Sequence, residues 1–322
     1  GFAALQGWHA ALAYGLAFAL IGVGLIGSSI AQAARQKRVV NHISVATRRQ
    51  QTLAEARSIN IGDSYTIDAK KAVADADLVI LCTPVGAFES VMREIAPALK
   101  EGAILTDVGS VKGHVHEVVG PLVPKGVHFV PGHPMAGTEY SGPLAGFASL
   151  FERRWCILTP DKDVAPEAVA DLSRFWRALG SDVELMDCAH HDLVVAITSH
   201  VPHLVAYNIV GTVDDLETVS KSEVIKFSAG GFRDFTRIAA SDPVMWRDIY
   251  IRNKDAVLDV LGRFTEDLTA LQRAIRWGDG DALFEAFERT RAIRRRVIDA
   301  GQETDAPDFG RRRDIGDTEK PD

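Results

Sequence analysis

The sequence predicts an α/β fold, with a doubly wound, mostly parallel sheet in the N-terminal half and an all-helical C-terminal half. Three observations carry that expectation. Short apolar runs alternate with helix-period segments up to residue 185, the rhythm of parallel strands joined by crossover helices. Runs such as Leu78-Val79-Ile80-Leu81 are apolar at every position, as strands covered on both faces must be. Beyond Asp187 apolar residues recur at helical spacing, and no strand signal of comparable strength follows.

In chain order, strands are predicted at residues 16–22, 42–46, 78–83, 103–107, 127–130, 155–159 and 183–185. Between them the pattern predicts helices over 28–36, 50–59, 87–99 and 166–179. Helices over 193–210, 243–271 and 279–300 then build the second half. The expected division is therefore 1–186, then 187–301, then a polar, mobile tail at 302–322, with 1–14 an extension of no assigned role.

A chain of 322 residues, 47% hydrophobic and 25% charged, is long enough for two domains and too apolar for disorder. Its net charge of −7 argues against nucleic acid or an anionic membrane as partner. Basic residues crowd the C-terminal end, from Arg289 to Arg296 and at Arg311 to Arg313, and read as a solvated face and tail. Cys82, Cys156 and Cys188 lie far apart, which argues against a disulfide framework and for a reducing, cytoplasmic setting. Residues 1–30 carry no Lys, Arg, Asp or Glu, but no basic segment precedes the apolar stretch and glycines interrupt it. A buried first strand explains it better than a signal peptide or membrane span.

That strand runs into Gly22-Val23-Gly24-Leu25-Ile26-Gly27 and then a helical segment, the context a dinucleotide fingerprint needs. Gly22 permits the tight turn, Gly24 lets backbone approach the pyrophosphate, and Gly27 lets helix and strand pack closely. Leu25 and Ile26 open the helix whose N-terminus faces the phosphates. The first half is thus a Rossmann-type domain for NAD(P)+. At the tip of the second strand an NAD enzyme usually carries an acid for the ribose 2′-hydroxyl, yet this chain reads Thr47-Arg48-Arg49. A short hydroxyl and two guanidinium groups suit a 2′-phosphate, so NADP+ is favoured over NAD+. Thr83 and Pro84, where the third long strand breaks, are expected to pass over the cofactor by analogy with such folds.

Two further motifs follow predicted strands, Asp107-Val108-Gly109-Ser110-Val111-Lys112 and Gly132-His133-Pro134-Met135-Ala136-Gly137-Thr138-Glu139. Strand ends of a doubly wound sheet line the ligand crevice, so Ser110 and His133 are expected to converge beside the nicotinamide. A histidine with a serine nearby suits removal of a hydroxyl proton as hydride leaves the same carbon. The residues alone stop at a hydroxyl-oxidising dehydrogenase.

The order GVGLIGSS, DVGSVK, GHPMAGTE, SHVPH and GGFRDFTRIAASDPVMW closely resembles the prephenate and arogenate dehydrogenase family of tyrosine biosynthesis, over roughly residues 16 to 300. That resemblance implies a Rossmann domain, a helical dimerisation domain and a homodimer. It implies His133 as the base that takes the ring hydroxyl proton, with Ser110 orienting it and touching the same hydroxyl. Arg237 would grip the side-chain carboxylate, Trp246 would line the pocket and His203 would lie near it. Glu139, Arg233 and Asp234 match a polar network near the pocket mouth, although the family often has Lys where Arg233 stands. The reaction implied is oxidative decarboxylation of prephenate, arogenate or both.

Other residues have plainer readings. His200 and His203 stand three apart on a predicted helix, but no further ligand pattern accompanies them and no metal is expected. His190 and His191 read as cap or surface residues, and Lys112, early in a helix, as solvated unless it meets phosphate or carboxylate. Leu283, Phe284 and Phe287 sit at helical spacing and read as core or dimer seam. Two competing functions stay open: another two-domain hydroxyacid dehydrogenase or imine reductase, and a non-catalytic dinucleotide-binding redox sensor. The first usually relies on a lysine or helical-domain residues, and the second has no use for a base facing a carboxylate clamp.

Overall fold

The computed structural model describes residues 16–138, 140–215 and 230–299. The chain forms two compact units, residues 1–260 and 261–322. In the first, β1 (Ala17–Ile21), β2 (His42–Ala46), β3 (Ser64–Thr66), β4 (Leu78–Leu81), β5 (Ile104–Asp107) and β6 (His128–Phe129) form one parallel sheet, in the order β3-β2-β1-β4-β5-β6. The order reverses between β1 and β4, and crevices open beyond the carboxyl ends of strands at such a switch point.

Alternation along the strands fills two cores. Phe18 and Leu20 of β1, with Leu78 and Ile80 of β4, enter one cluster. Ala19, Ile21, Val79 and Leu81 enter the other, which is why these runs are apolar at every position. On the first face lie α1 (Leu25–Gln36) and, later in the chain, the helix Pro166–Ala178, contributing Ile30, Leu172, Phe175 and Trp176. The second face is covered by α4 (Phe88–Ile95) and α5 (Lys112–Val119) through Phe88, Met92, Ile95, Val115 and Val119. Between these come α2 (Gln50–Ser58) and the short α3 (Ala69–Val73), and the helix at Pro166 is α6.

The strands predicted at 155–159 and 183–185 form, but not in the main sheet. They are β8 (Trp155–Leu158) and β9 (Asp182–Leu185), which join β7 (Gly132–Pro134) in a separate three-stranded sheet. Within it β7 runs antiparallel to β8, and β8 parallel to β9. Apolar runs announce strands without announcing neighbours. Two strands give no sequence signal: β3 is three polar residues, and β7 is Gly-His-Pro, two of whose residues strands disfavour.

From Cys188 the described residues are predominantly helical. α7 (Cys188–Val195), a π-turn at Ala196–His200 and α8 (Val201–Asp215) form one continuous run. Pro202 explains the widened turn, because it lacks the amide that would close an α-turn onto Thr198. After α9 (Gly230–Thr236) and a 3₁₀ turn at Arg237–Ala240, the helix predicted over 243–271 divides into α10 (Pro243–Arg252) and α11 (Lys254–Trp277). The break falls at Asn253, a buried residue whose side chain donates to Asp192 O at 2.9 Å and to His200 Nδ1 at 3.1 Å. Through Trp246 and Ile249, α10 packs on the same cluster as α4 and α5. α12 (Gly280–Asp299) completes the described chain. Among the described residues Cys188–Asp215 alone is long and apolar enough to cross a membrane, yet it carries the buried polar residues His191, Asp192 and His200.

Candidate active site

The glycine turn after β1 has the shape a dinucleotide requires. Gly22 adopts φ +89°, and a Cβ there would stand 2.7 Å from Thr83 Cγ2 and 2.8 Å from Thr83 N, so no side chain fits. Gly24 is the opposite case, with nothing within 4 Å of its imagined Cβ. Backbone thus faces open space where α1 begins, and α1 has neither a side-chain cap nor an acidic residue in its first turn. Uncapped N–H groups and the positive end of the helix dipole suit a pyrophosphate. Thr83 Oγ1, against the same turn, is buried without a partner. Open backbone, uncapped amides and an orphaned hydroxyl together fit NAD(P)+. At the tip of β2, Thr47 is half-buried and bonds Thr66 O through its amide at 3.3 Å, while Arg48 and Arg49 are exposed at the start of α2.

His133 is held by the end of β5. Asp107, fully buried, accepts from Gly109 N at 2.8 Å and from Gly132 N at 3.2 Å. Its other strong partner is Lys112 Nζ at 2.5 Å, and that ammonium also donates to Gly132 O at 2.6 Å. Both peptide groups flanking Gly132 are thereby tied to one buried ion pair, and His133 follows directly on β7, opposite Ile157. Lys112 is fully buried, not solvated as its place early in α5 suggested. Burial pulls its pKa down and the Asp107 carboxylate opposes that pull.

His133 is 8% exposed. Its Nδ1 lies 2.9 Å from Nε2 of His191, whose Nδ1 lies 2.8 Å from Oδ1 of Asp192. Asp192 also accepts from Lys112 N at 2.7 Å and Gly113 N at 2.8 Å, closing the N-terminus of α5 with a negative charge. Burial works to raise the Asp192 pKa, but the bonds from His191, Lys112 and Gly113 outweigh it and the net shift is downward. Burial, then the neighbouring His191, Lys112 and His200, hold His133 well below the ordinary histidine value. His133 is therefore neutral near pH 7, the form that accepts a proton.

One helical face extends the group. Asp192, His200 and His203 succeed each other along the α7–π–α8 run. His203 stacks on Trp246 with centroids 3.8 Å apart and planes 25° apart, and Trp246 also meets His200 and Tyr250. Burial lowers the His203 pKa, and the Arg237 charge acts in the same direction. His203 Nδ1 bonds Ser199 O at 2.8 Å, which leaves Nε2 as a free acceptor on the neutral ring.

His133 is thus linked through His200 to Trp246, on which His203 stacks with the Arg237 charge nearby, and Ser110 is half-buried on the loop after β5. The Nδ1 partner of His133 is His191. Arg233 and Asp234 are exposed and 3.9 Å apart, and Glu139 lies outside the described residues. His191, expected at a cap or surface, is fully buried at the centre of the site. Sequence reasoning missed His191 and Asp192 because Asp187 accepts from His190 N and Ala189 N, so the pair reads as an ordinary helix start. A His-Asp step about two helical turns before SHVPH was the available signal. Among the described residues no group of three His, Cys, Asp or Glu could hold a metal.

A glycine turn fit for a dinucleotide, at the switch point of a doubly wound sheet and with a neutral buried imidazole in the same unit, defines an NAD(P)-dependent oxidoreductase. Residues 30–185 match the family described as "Prephenate dehydrogenase, nucleotide-binding domain", and residues 187–289 match "Prephenate dehydrogenase, dimerization domain". Cyclohexadienyl dehydrogenase of Zymomonas mobilis is 44% identical over 276 residues, 86% of this chain and 94% of that protein. Prephenate dehydrogenase of Bacillus subtilis is 33% identical, over 85% of this chain and 74% of that one. The crystal structure of Aquifex aeolicus prephenate dehydrogenase with hydroxyphenyl propionate and NAD+ matches with a TM-score of 0.80 at 32% identity, covering 87% of this chain and 97% of that one. The chain belongs to the prephenate dehydrogenase family, and its activity is the NAD(P)-dependent oxidative decarboxylation that serves tyrosine biosynthesis.

Proposed function

We propose that His133 is the general base of this reaction, acting on prephenate, arogenate or both, in a cytoplasmic homodimer whose helical substrate and dimerisation domain begins near residue 187 and ends near 301. The observation that supports it most is a buried, neutral imidazole whose Nδ1 is occupied and whose Nε2 remains to meet substrate. With the pyrophosphate held at the glycine turn, a bound dinucleotide would supply the hydride acceptor for the ring carbinol carbon. Nε2 of His133 takes the hydroxyl proton as that hydride departs, and the ring carboxylate leaves as carbon dioxide, its bonding pair completing the aromatic ring. Ser110 touches the same hydroxyl. Arg237 pairs with the side-chain carboxylate, Trp246 and His203 wall the pocket, and Glu139 and Arg233 edge its mouth. Burial of the imidazole strengthens each polar contact it makes to the ring.

At the cofactor end, Gly22, Gly24, Leu25, Ile26 and Gly27 receive the pyrophosphate, and Thr83 and Pro84 flank it. Thr47, Arg48 and Arg49 favour NADP+ over NAD+. Arg49 stands at the N-cap of α2, where a cation opposes the helix dipole and a 2′-phosphate would relieve it. Steady-state kinetics crossing prephenate and arogenate with NAD+ and NADP+ test the whole reading. Turnover of at least one ring substrate is expected, with higher kcat/KM for NADP+. His133→Asn should lower kcat by about 10²- to 10⁴-fold with dinucleotide affinity intact. Arg237→Leu should chiefly raise the substrate KM. A strong NAD+ preference removes the NADP+ assignment, and full turnover by His133→Asn removes the base.

A further inference from the structure

We propose that Asp192 and His191 are positioning residues that decide which nitrogen of His133 carries the proton, so that Nε2 is the atom left free to take the substrate's. The proposal deepens the reading of His133 as the base and rests on it. Its ground is the unbroken row Asp192 Oδ1, His191 Nδ1, His191 Nε2, His133 Nδ1, joined by contacts of 2.8 and 2.9 Å.

Each link in that row leaves one arrangement of hydrogens. The Asp192 carboxylate is an acceptor only, already receiving the amides of Lys112 and Gly113. The His191 nitrogen facing it must therefore bring the hydrogen. A neutral imidazole carries one N–H, so His191 Nε2 presents a lone pair. His133 Nδ1 must then donate, and its Nε2 is left with the lone pair. A carboxylate two residues removed from the chemistry thus selects the reactive nitrogen. Once Nε2 has taken a proton, both nitrogens of His133 are donors, and the Nδ1–H bond to His191 persists unchanged. The new positive charge is then linked through His191 to the Asp192 carboxylate.

The other charged groups near this row do not compete for it. Lys112 is engaged by Asp107 and Gly132 O, and His200 Nδ1 accepts from Asn253. Cys156 on β8 is a buried thiol held protonated by burial. Asp192 does have a second role at the N-terminus of α5, so loss of stability on substituting it would not by itself speak for the row.

The test is imidazole ¹⁵N NMR of the full-length, uniformly labelled protein, alongside kinetics, for wild type, Asp192→Asn, His191→Leu and His191→Gln. In the wild type His133 should carry its hydrogen on Nδ1, with Nε2 unprotonated. In Asp192→Asn the neutral side chain no longer fixes the hydrogen on His191 Nδ1, so the His133 spectrum should shift toward protonation at Nε2. kcat should then fall by about 100-fold or more, with substrate KM and dinucleotide Kd changed less than about threefold. His191→Leu should lose a comparable factor. His191→Gln, whose Oε1 can still accept from His133 Nδ1, should keep kcat within about tenfold of wild type. Nε2 protonation in the wild type, undiminished kcat in His191→Leu, or a His191→Gln as inactive as His191→Leu would each overturn the proposal. If the wild type turned over neither ring substrate, the functional reading would fail while the spectra still decided the tautomer.

Discussion

His200 sits at 1% exposure, its Nδ1 accepts from Asn253, and burial pushes its pKa down to about 4. The folded protein therefore refuses a proton that the unfolded chain takes up below about pH 6.5. Stability is undiminished above that pH and falls as pH drops from there toward 4, by roughly 2 kcal/mol at pH 5 from this residue. His133 and His191 are shifted in the same direction and steepen the fall. Urea unfolding at pH 7.5, 6.5, 5.5 and 5 should show a midpoint that drops within a window above the range of ordinary carboxylates. A midpoint constant from 7.5 to 5 would mean that these rings are not buried and neutral. His133 was legible in the sequence because its neighbours form a distinctive motif after a strand. His191 was not, because nothing local distinguishes a histidine that a strand some sixty residues earlier will cover.

At the scale of elements, the turn between β1 and α1 separates two kinds of glycine. An alanine at Gly22 would carry a positive φ and collide with Thr83, at a cost of roughly 1–3 kcal/mol. An alanine at Gly24 meets nothing, and that residue's φ of −114° suits any side chain. Gly24→Ala should therefore keep its Tm within about 2 °C of wild type, while its methyl group occupies the path of the pyrophosphate and raises the dinucleotide Kd at least about tenfold. Gly22→Ala should lose several degrees, at about 2–4 °C per kcal/mol. Fluorescence titration and thermal melts of both variants decide it, and an unchanged Kd in Gly24→Ala would mean that the dinucleotide does not cross that backbone. This turn was readable because its three glycines fall within six consecutive residues. β7 was not, since Gly-His-Pro becomes a strand only by pairing with β8, some twenty residues away. The π-turn lies between these cases, because Pro202 announces a disturbance in the helix without saying which kind.

For the whole molecule, the informative fact is what stays uncovered. Among the described residues none beyond Val257 is buried, although α11 and α12 carry Phe264, Leu268, Ile275, Trp277, Phe284 and Phe287. Trp277 is 73% exposed and Phe284 65% exposed, so Phe284 and Phe287 are not core within one chain, and the seam reading remains. Helices of 24 and 20 residues derive little stability from propensity and need an apolar face covered. An exposed apolar surface of this kind marks an interface, and a second copy is the partner the matched dimerization domain supports. The helical periodicity predicted these elements from sequence, but which of their faces meets the chain's own core and which meets a partner is a property of the assembled surface. Sedimentation equilibrium at micromolar concentration should give twice the 34.9 kDa of one chain, and Tm should rise with protein concentration. Trp277→Glu combined with Phe284→Glu should shift the mass toward one chain and abolish the concentration dependence, since a charge placed on each apolar face must be desolvated to pair. A wild type that sediments as a single chain at these concentrations would show that the exposed faces of α11 and α12 serve some contact other than self-association.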